Sequence, residues 1–147
     1  MKVYLDNCAL NRPFDDLRQE RIRLEAEAVV LILARLERKE WTWLGSQALT
    51  LEIEKTPDPV RRSYLRRIVE HVHQVLPIGK AEFERARTLA EMGFIGFDAV
   101  HLACAESGKA DVFLTTDDRL LNIAKRHAEE LHVSVENPLD WLKEMVK

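Results

Sequence analysis

At 147 residues and 17.0 kDa the chain has the size of one ordinary domain and can bury a core without disulfide staples. A hydrophobic fraction of 46% beside 32% charged residues, with mean hydropathy −0.25, excludes low complexity and leaves no run apolar enough to span a bilayer. The net charge of −3 excludes a globally basic nucleic-acid binder, though not an enzyme whose acidic metal site works on nucleic acid.

The start, MKVYLDNC, carries an acid at position six and no extended apolar region, so no signal peptide is expected. KVYL, Lys2 to Leu5, reads as a strand that ends in Asp6. The segment Asn11-Arg12-Pro13-Phe14-Asp15-Asp16 reads as an unusually polar loop. Glu20 to Glu40 reads as a long helix whose apolar stripe is Ile22, Ala26, Val29, Val30, Leu33 and Leu36. Trp41 to Gly45 is a second strand, Ser46 a cap, and Gln47 to Lys55 the helix it opens. A further stripe of Val60, Tyr64, Leu65, Ile68, Val69 and Val72 follows Pro57 and Pro59. QVLPI around Leu76 is a weak strand, Lys80 to Met92 a helix, and Gly93 and Gly96 break the chain before a helix over Phe97 to Ser107. DVFL is a strand, Asp117 to Glu130 a helix, HVSV a strand, and Pro138 to Val146 a terminal helix with proline at its start. Cys8 and Cys104 lack metal-site spacing and suit a reducing cytoplasm.

Strands alternating with helices imply βαβ units: an α/β fold, a three-layer α/β/α sandwich with a mainly parallel central sheet, over one domain spanning residues 1–147. Open sheets of this kind bind ligands at the carboxyl ends of their strands. Asp6, Glu52, Asp98 and Asp117 all fall just past strand ends or in the helices that begin there. Taken singly, each has an ordinary explanation as a turn residue, a solvated helical glutamate, a first-turn acid or an N-cap. Together they would repel one another unless cations sat between them. Hard cations such as Mg²⁺ and Mn²⁺ take oxygen ligands, lower the pKa of a bound water and stabilise charge developing on an attacked phosphodiester.

VYLDNCALN, SQALTLEIE and FDAVHLACAESGKADVFLTTDDRLL resemble, in that order, the motifs of the PIN-domain family, including VapC-type toxins. The family pattern sets an aspartate at the end of the first strand and a glutamate six residues after a helix-opening serine. An aspartate then starts an alanine-rich helix, and an acid stands in a Thr-x-Asp step. Those positions here are Asp6, Glu52 (six after Ser46), Asp98 and Asp117, which is nineteen residues after Asp98. The resemblance implies a Mg²⁺- or Mn²⁺-dependent endoribonuclease acting on single-stranded or structured RNA. Within the family it points to the toxin of a type II toxin–antitoxin pair, cytoplasmic, with a small antitoxin partner and a homodimeric state. The other reading is a catalytically weak PIN-fold module that binds RNA or protein. The chain departs from the pattern at Asn7-Cys8, where the toxins usually carry Thr followed by Ser or Asn.

Arg12, beside the Asp6 loop, and Thr115 are the substrate-binding candidates; Arg61, Arg62, Arg66 and Arg67 are either RNA-backbone contacts or a solvated face. His101, three residues after Asp98, either is a satisfied core histidine or orients that acid. Glu54 competes with Glu52, and Asp118 reads as a first-turn residue favoured by the helix dipole.

Overall fold

Strand β1 (Lys2–Leu5) is buried on both faces, and its side chains divide between two cores: Val3 and Leu5 to one, Tyr4 to the other. The same alternation holds in β2 (Thr42–Ser46), with Trp43 and Leu44 on opposite sides, and in β4 (Val112–Leu114), with Phe113 opposed to Val112 and Leu114. With β3 (Gln74–Leu76) and β5 (Ser134–Glu136) these strands form one sheet of order β3-β2-β1-β4-β5 in which every pairing is parallel. Two-sided burial is what a parallel sheet between helical layers demands. The computed structural model describes all of residues 1–147 and has the expected three-layer α/β/α architecture.

One layer contains α5 (Lys80–Met92), α6 (Phe97–Ser107) and α7 (Asp118–Arg126) over the Tyr4, Leu44 and Phe113 face. The other contains α1 (Asn7–Asn11), α2 (Glu20–Glu37), α3 (Gln47–Glu54), α4 (Pro59–Val69) and α8 (Pro138–Met145). Tyr4 stacks on Phe113 with centroids 5.2 Å apart, a pairing worth about 1 kcal/mol beyond simple burial. Gly108, at the end of α6, lies so close to the sheet that an added Cβ would stand 2.6 Å from Leu76.

The chain leaves β1 toward β2 and β3 on one side and returns through β4 and β5 on the other. The order therefore reverses between β1 and β4, the kind of crevice where open α/β sheets hold ligands. Asp6 closes β1, and its backbone N–H donates to the Leu114 carbonyl of β4 at 2.9 Å.

Three differences from the sequence reading have physical causes. The polar segment after Asp6 is helical: α1 runs straight into a 3-10 turn over Arg12–Phe14, started by Asp6 as N-cap. The last long helix begins at Asp118, because Asp117 spends its side chain capping it, and ends at Arg126. On α4 the buried residue is Leu65, with Ile68 and Val69, and Val72 just past the helix, packed partly against the core, while Val60 and Tyr64 face solvent. No helix is long and apolar enough to cross a membrane.

Candidate metal centre

Asp6 is 5% exposed and fully engaged. One carboxylate oxygen accepts the Asn7 backbone N–H at 2.8 Å; the other accepts the Thr115 hydroxyl at 2.9 Å and the Cys8 thiol at 3.2 Å. The hydroxyl support absent from Asn7-Cys8 is thus supplied by Thr115, just past β4, with the thiol beside it. Burial raises the Asp6 carboxyl above its ordinary value, against the opposing pull of His101 and of these hydrogen bonds. The Cys8 thiol is itself held up by burial and by the Asp6 charge, so it acts as a donor and not as a nucleophile.

Glu52 projects from α3, whose start is fixed by Ser46: its hydroxyl oxygen accepts the Leu49 N–H at 3.1 Å. The rival Glu54 points away to Arg66 on the surface. Glu52 accepts from Nε2 of the buried His101 at 2.6 Å, and Nε2 faces a carboxylate, so that nitrogen carries hydrogen. Nδ1 of the same ring bonds the Tyr4 hydroxyl at 2.6 Å, and Tyr4 bonds Ser46 at 2.6 Å. A buried chain therefore links the cap of α3 to the acid near its end. Burial works to lower the imidazole pKa, but the Glu52 hydrogen bond and the charge of Asp6, 4.0 Å away, outweigh it and hold it above its ordinary value. His101 thus serves Glu52, not Asp98. The sequence signal was Tyr4, a hydroxyl on a wholly buried strand that must find a polar partner.

Asp98 stands in the first turn of α6, behind Gly96, whose φ of 55° makes the bend into the helix. Burial pushes its carboxyl up to about 6, helped by the negative charges of Asp6, Asp117 and Glu52. Those contributions put the other three acids within electrostatic reach of Asp98. Ligand atoms of Asp6, Glu52 and His101 lie within 4.8 Å of one another; Asp98 and Asp117 stand outside that tight group. Asp117 caps α7 with one carboxylate oxygen, at 2.9 Å from the Arg119 N–H, while its own N–H donates to the Thr115 hydroxyl. Asp118 points the other way, to Arg21 of α2 at 2.8 Å.

The two substrate candidates have other partners. Thr115 is wholly buried with its hydroxyl on Asp6. The Arg12 guanidinium is held by Asp15 at 3.0 Å and lies 3.0 Å from Glu25 of α2. Of the α4 arginines, Arg61 is tied to Asp15 and the Phe14 carbonyl, Arg62 to the Thr56 carbonyl and Arg66 to Glu54; Arg67 alone has no side-chain partner.

A hard divalent cation fits this donor set. Asp6 and Glu52 bring carboxylate oxygens together beside His101, whose ring nitrogens are taken up by Glu52 and Tyr4, so the donors left for an ion there are oxygens. A cavity of about 1090 Å³ between α7 and β5 holds Asp118 but none of the four acids, whereas one of about 640 Å³ opens on Glu52. The second is the relevant one because it adjoins the charges that need a partner.

No curated protein matches the chain significantly. Among solved structures it is similar to FitAcB from Neisseria gonorrhoeae, at 16% identity over 92% of this chain and 97% of that one, with a TM-score of 0.59. It is also similar to VapBC2 from Rickettsia felis bound to a DNA fragment from their promoter, at 13% identity over 93% and 98% of the two chains, with a TM-score of 0.58. At such identities the likeness is one of fold. The family model of the PIN domain matches residues 3–126, and with that match the chain belongs to the PIN-domain family.

Proposed function

We propose that the chain is a divalent-metal-dependent endoribonuclease and the toxin of a type II toxin–antitoxin pair. The observation that supports the reading is the charge gathered at the switch point: the Asp6 and Glu52 carboxylates meet beside His101, and their charges, with that of Asp117, act on Asp98, whose carboxyl burial pushes up to about 6. Asp6, Glu52, Asp98 and Asp117 would hold Mg²⁺ or Mn²⁺. A cation bound there supplies Lewis-acid chemistry, lowering the pKa of water and neutralising charge on the phosphodiester. The chain's own contribution is placement. Thr115 and Cys8 fix Asp6, His101 fixes Glu52 through the Tyr4–Ser46 chain, and the α7 cap fixes Asp117.

Membership of the PIN family and the likeness to VapBC2, solved with a fragment of promoter DNA, support a small antitoxin as partner; a homodimeric state and action in the cytoplasm belong to the same proposal. An open reading frame for a small DNA-binding protein adjoining this gene is expected. The decisive assay incubates purified protein with a pool of structured RNAs in Mn²⁺, in Mg²⁺ and in EDTA, with Asp98→Asn in parallel. Cleavage that needs metal and is lost in Asp98→Asn is the expected result. Cleavage surviving both chelation and substitution overturns the mechanism, and a wild type that cuts no RNA returns the chain to a binding module.

A further inference from the structure

The cavity of about 640 Å³ beside Glu52 lies within the range of roughly 300–1,000 Å³ typical of small-ligand sites. Its walls include Asn7, Asn11, Lys55, Asp58, Arg61 and Phe97 together with Glu52 itself, so it adjoins the acidic site at Glu52. Arg61 is committed to Asp15 and the Phe14 carbonyl. Lys55 is in no ion pair; its ammonium rests 5.5 Å from the centroid of the half-buried Phe97 ring. A cation over a partly exposed ring is a weak contact and yields readily to a phosphate, freeing the ring for a base.

The amide pair on the opposite wall is also ready for use. Asn11 donates through its amide nitrogen to the Asn7 backbone carbonyl at 2.8 Å and to the Asn7 side-chain oxygen at 3.0 Å. That arrangement leaves the Asn7 amide N–H groups and the Asn11 side-chain oxygen without a protein partner, a donor and an acceptor side by side on half-buried residues. One cation, one aromatic face and one donor–acceptor edge, opening on Glu52, match the parts of a nucleotide.

We infer that this cavity is a subsite for one unstacked nucleotide of the RNA strand next to the scissile phosphate: Lys55 takes its phosphate, Phe97 its base face, and Asn7 with Asn11 the base edge. The inference rests on the reading of the acidic cleft as RNA-cleaving. It adds that the strand must be single or bulged at that position, because a base inside a duplex cannot lay its face on Phe97. It also gives the Asn7 and Asn11 side chains, which the acidic cluster does not use, a task in selection.

The test measures the binding of a short fluorescent single-stranded RNA to the full chain on an Asp98→Asn background, where cleavage is silenced, across a range of salt concentrations. Phe97→Leu should weaken binding roughly tenfold without altering the slope of log Kd on log salt. Lys55→Met, on the surface where folding is not at risk, should weaken it several-fold and reduce that slope by about 0.7, the share of one phosphate contact on a single strand. A duplex of the same sequence should be indifferent to Phe97→Leu. Parent-like RNA binding in both variants overturns the subsite, as does a Phe97→Leu loss equal for duplex and single strand. So does competition for the cavity by an acidic peptide but not by RNA. If the wild type cuts RNA with metal while neither variant changes binding, the subsite falls and the nuclease stands. If both effects appear in a protein whose wild type cuts no RNA, the subsite stands and the nuclease falls.

Discussion

Glu25 and Asp6 are both buried carboxylates, 1% and 5% exposed, and the two regions around them are built on opposite plans. Glu25, on α2, meets positive charge and amide hydrogens from several directions: Arg12 at 3.0 Å, Arg21 at 3.3 Å and the Asn137 amide at 2.6 Å. The Arg12 contact is one of charge rather than an aligned hydrogen bond, since neither atom of that pair has a hydrogen-bond partner. Around Asp6 the neighbours are Glu52, His101, a hydroxyl and a thiol, and its charge is felt by Asp98. A buried charge that its own chain satisfies is a staple; here it ties the α1 region to α2 and α8. A set of charges that the chain braces but does not neutralise is a place for something from outside.

Substitutions should separate the two plans. The largest effect belongs to the unneutralised set: Asp6→Asn should reduce RNA cleavage by more than the roughly 10–100-fold that loss of an outer support costs, with the fold intact by circular dichroism. Next comes the staple. Glu25→Ala leaves Arg12 with no acid on α2 and should cost about 3 kcal/mol in urea unfolding, with cleavage per folded molecule unchanged.

A smaller effect is the pH dependence of stability without metal. The folded Asp98 carboxyl is held at about 6 against an ordinary 3.8, so between those values the folded chain keeps a proton that the unfolded chain has released. Stability carried by that proton is full below the unfolded value and is lost as pH rises through about 6, on the order of 1–3 kcal/mol. Chemical unfolding in EDTA across this window should show the decline, and Asp98→Asn should remove it. The smallest effect is at the exposed Asp118–Arg21 pair, where Asp118→Asn should cost under about 1 kcal/mol and spare cleavage, while Asp117→Asn damages metal binding. Equal loss of activity from both would erase the distinction between them.

The same contrast explains what could be read from the chain. Strand ends and helix periodicity are local signals, so the sheet and its layers were legible, and so was the meeting of Asp6, at the end of β1, with Glu52, six residues after Ser46. Partners far apart in sequence were not. His101 lies three residues from Asp98 but bonds Glu52, forty-nine positions away, because Tyr4 holds the other side of its ring. The NRPFDD segment reads as loop because its charges look solvated; Asn11 to Phe14 are helical, with Arg12 paired to Glu25 and Asp15 to Arg61. Glu25 itself carried a faint signal, lying on the buried stripe between Ile22 and Val29 where an acid needs a partner.

Metal binding by the purified chain, read as heat on titrating Mn²⁺ and as a rise in unfolding temperature, tests the central claim most directly. The wild type should bind and be stabilised, by about 2.7 kcal/mol at a hundred times the Kd, and Asp98→Asn should lose most of both signals while Asp118→Asn keeps them. No heat and no thermal shift at millimolar Mn²⁺ would contradict it: the four acids would then be a charged surface that the fold merely tolerates.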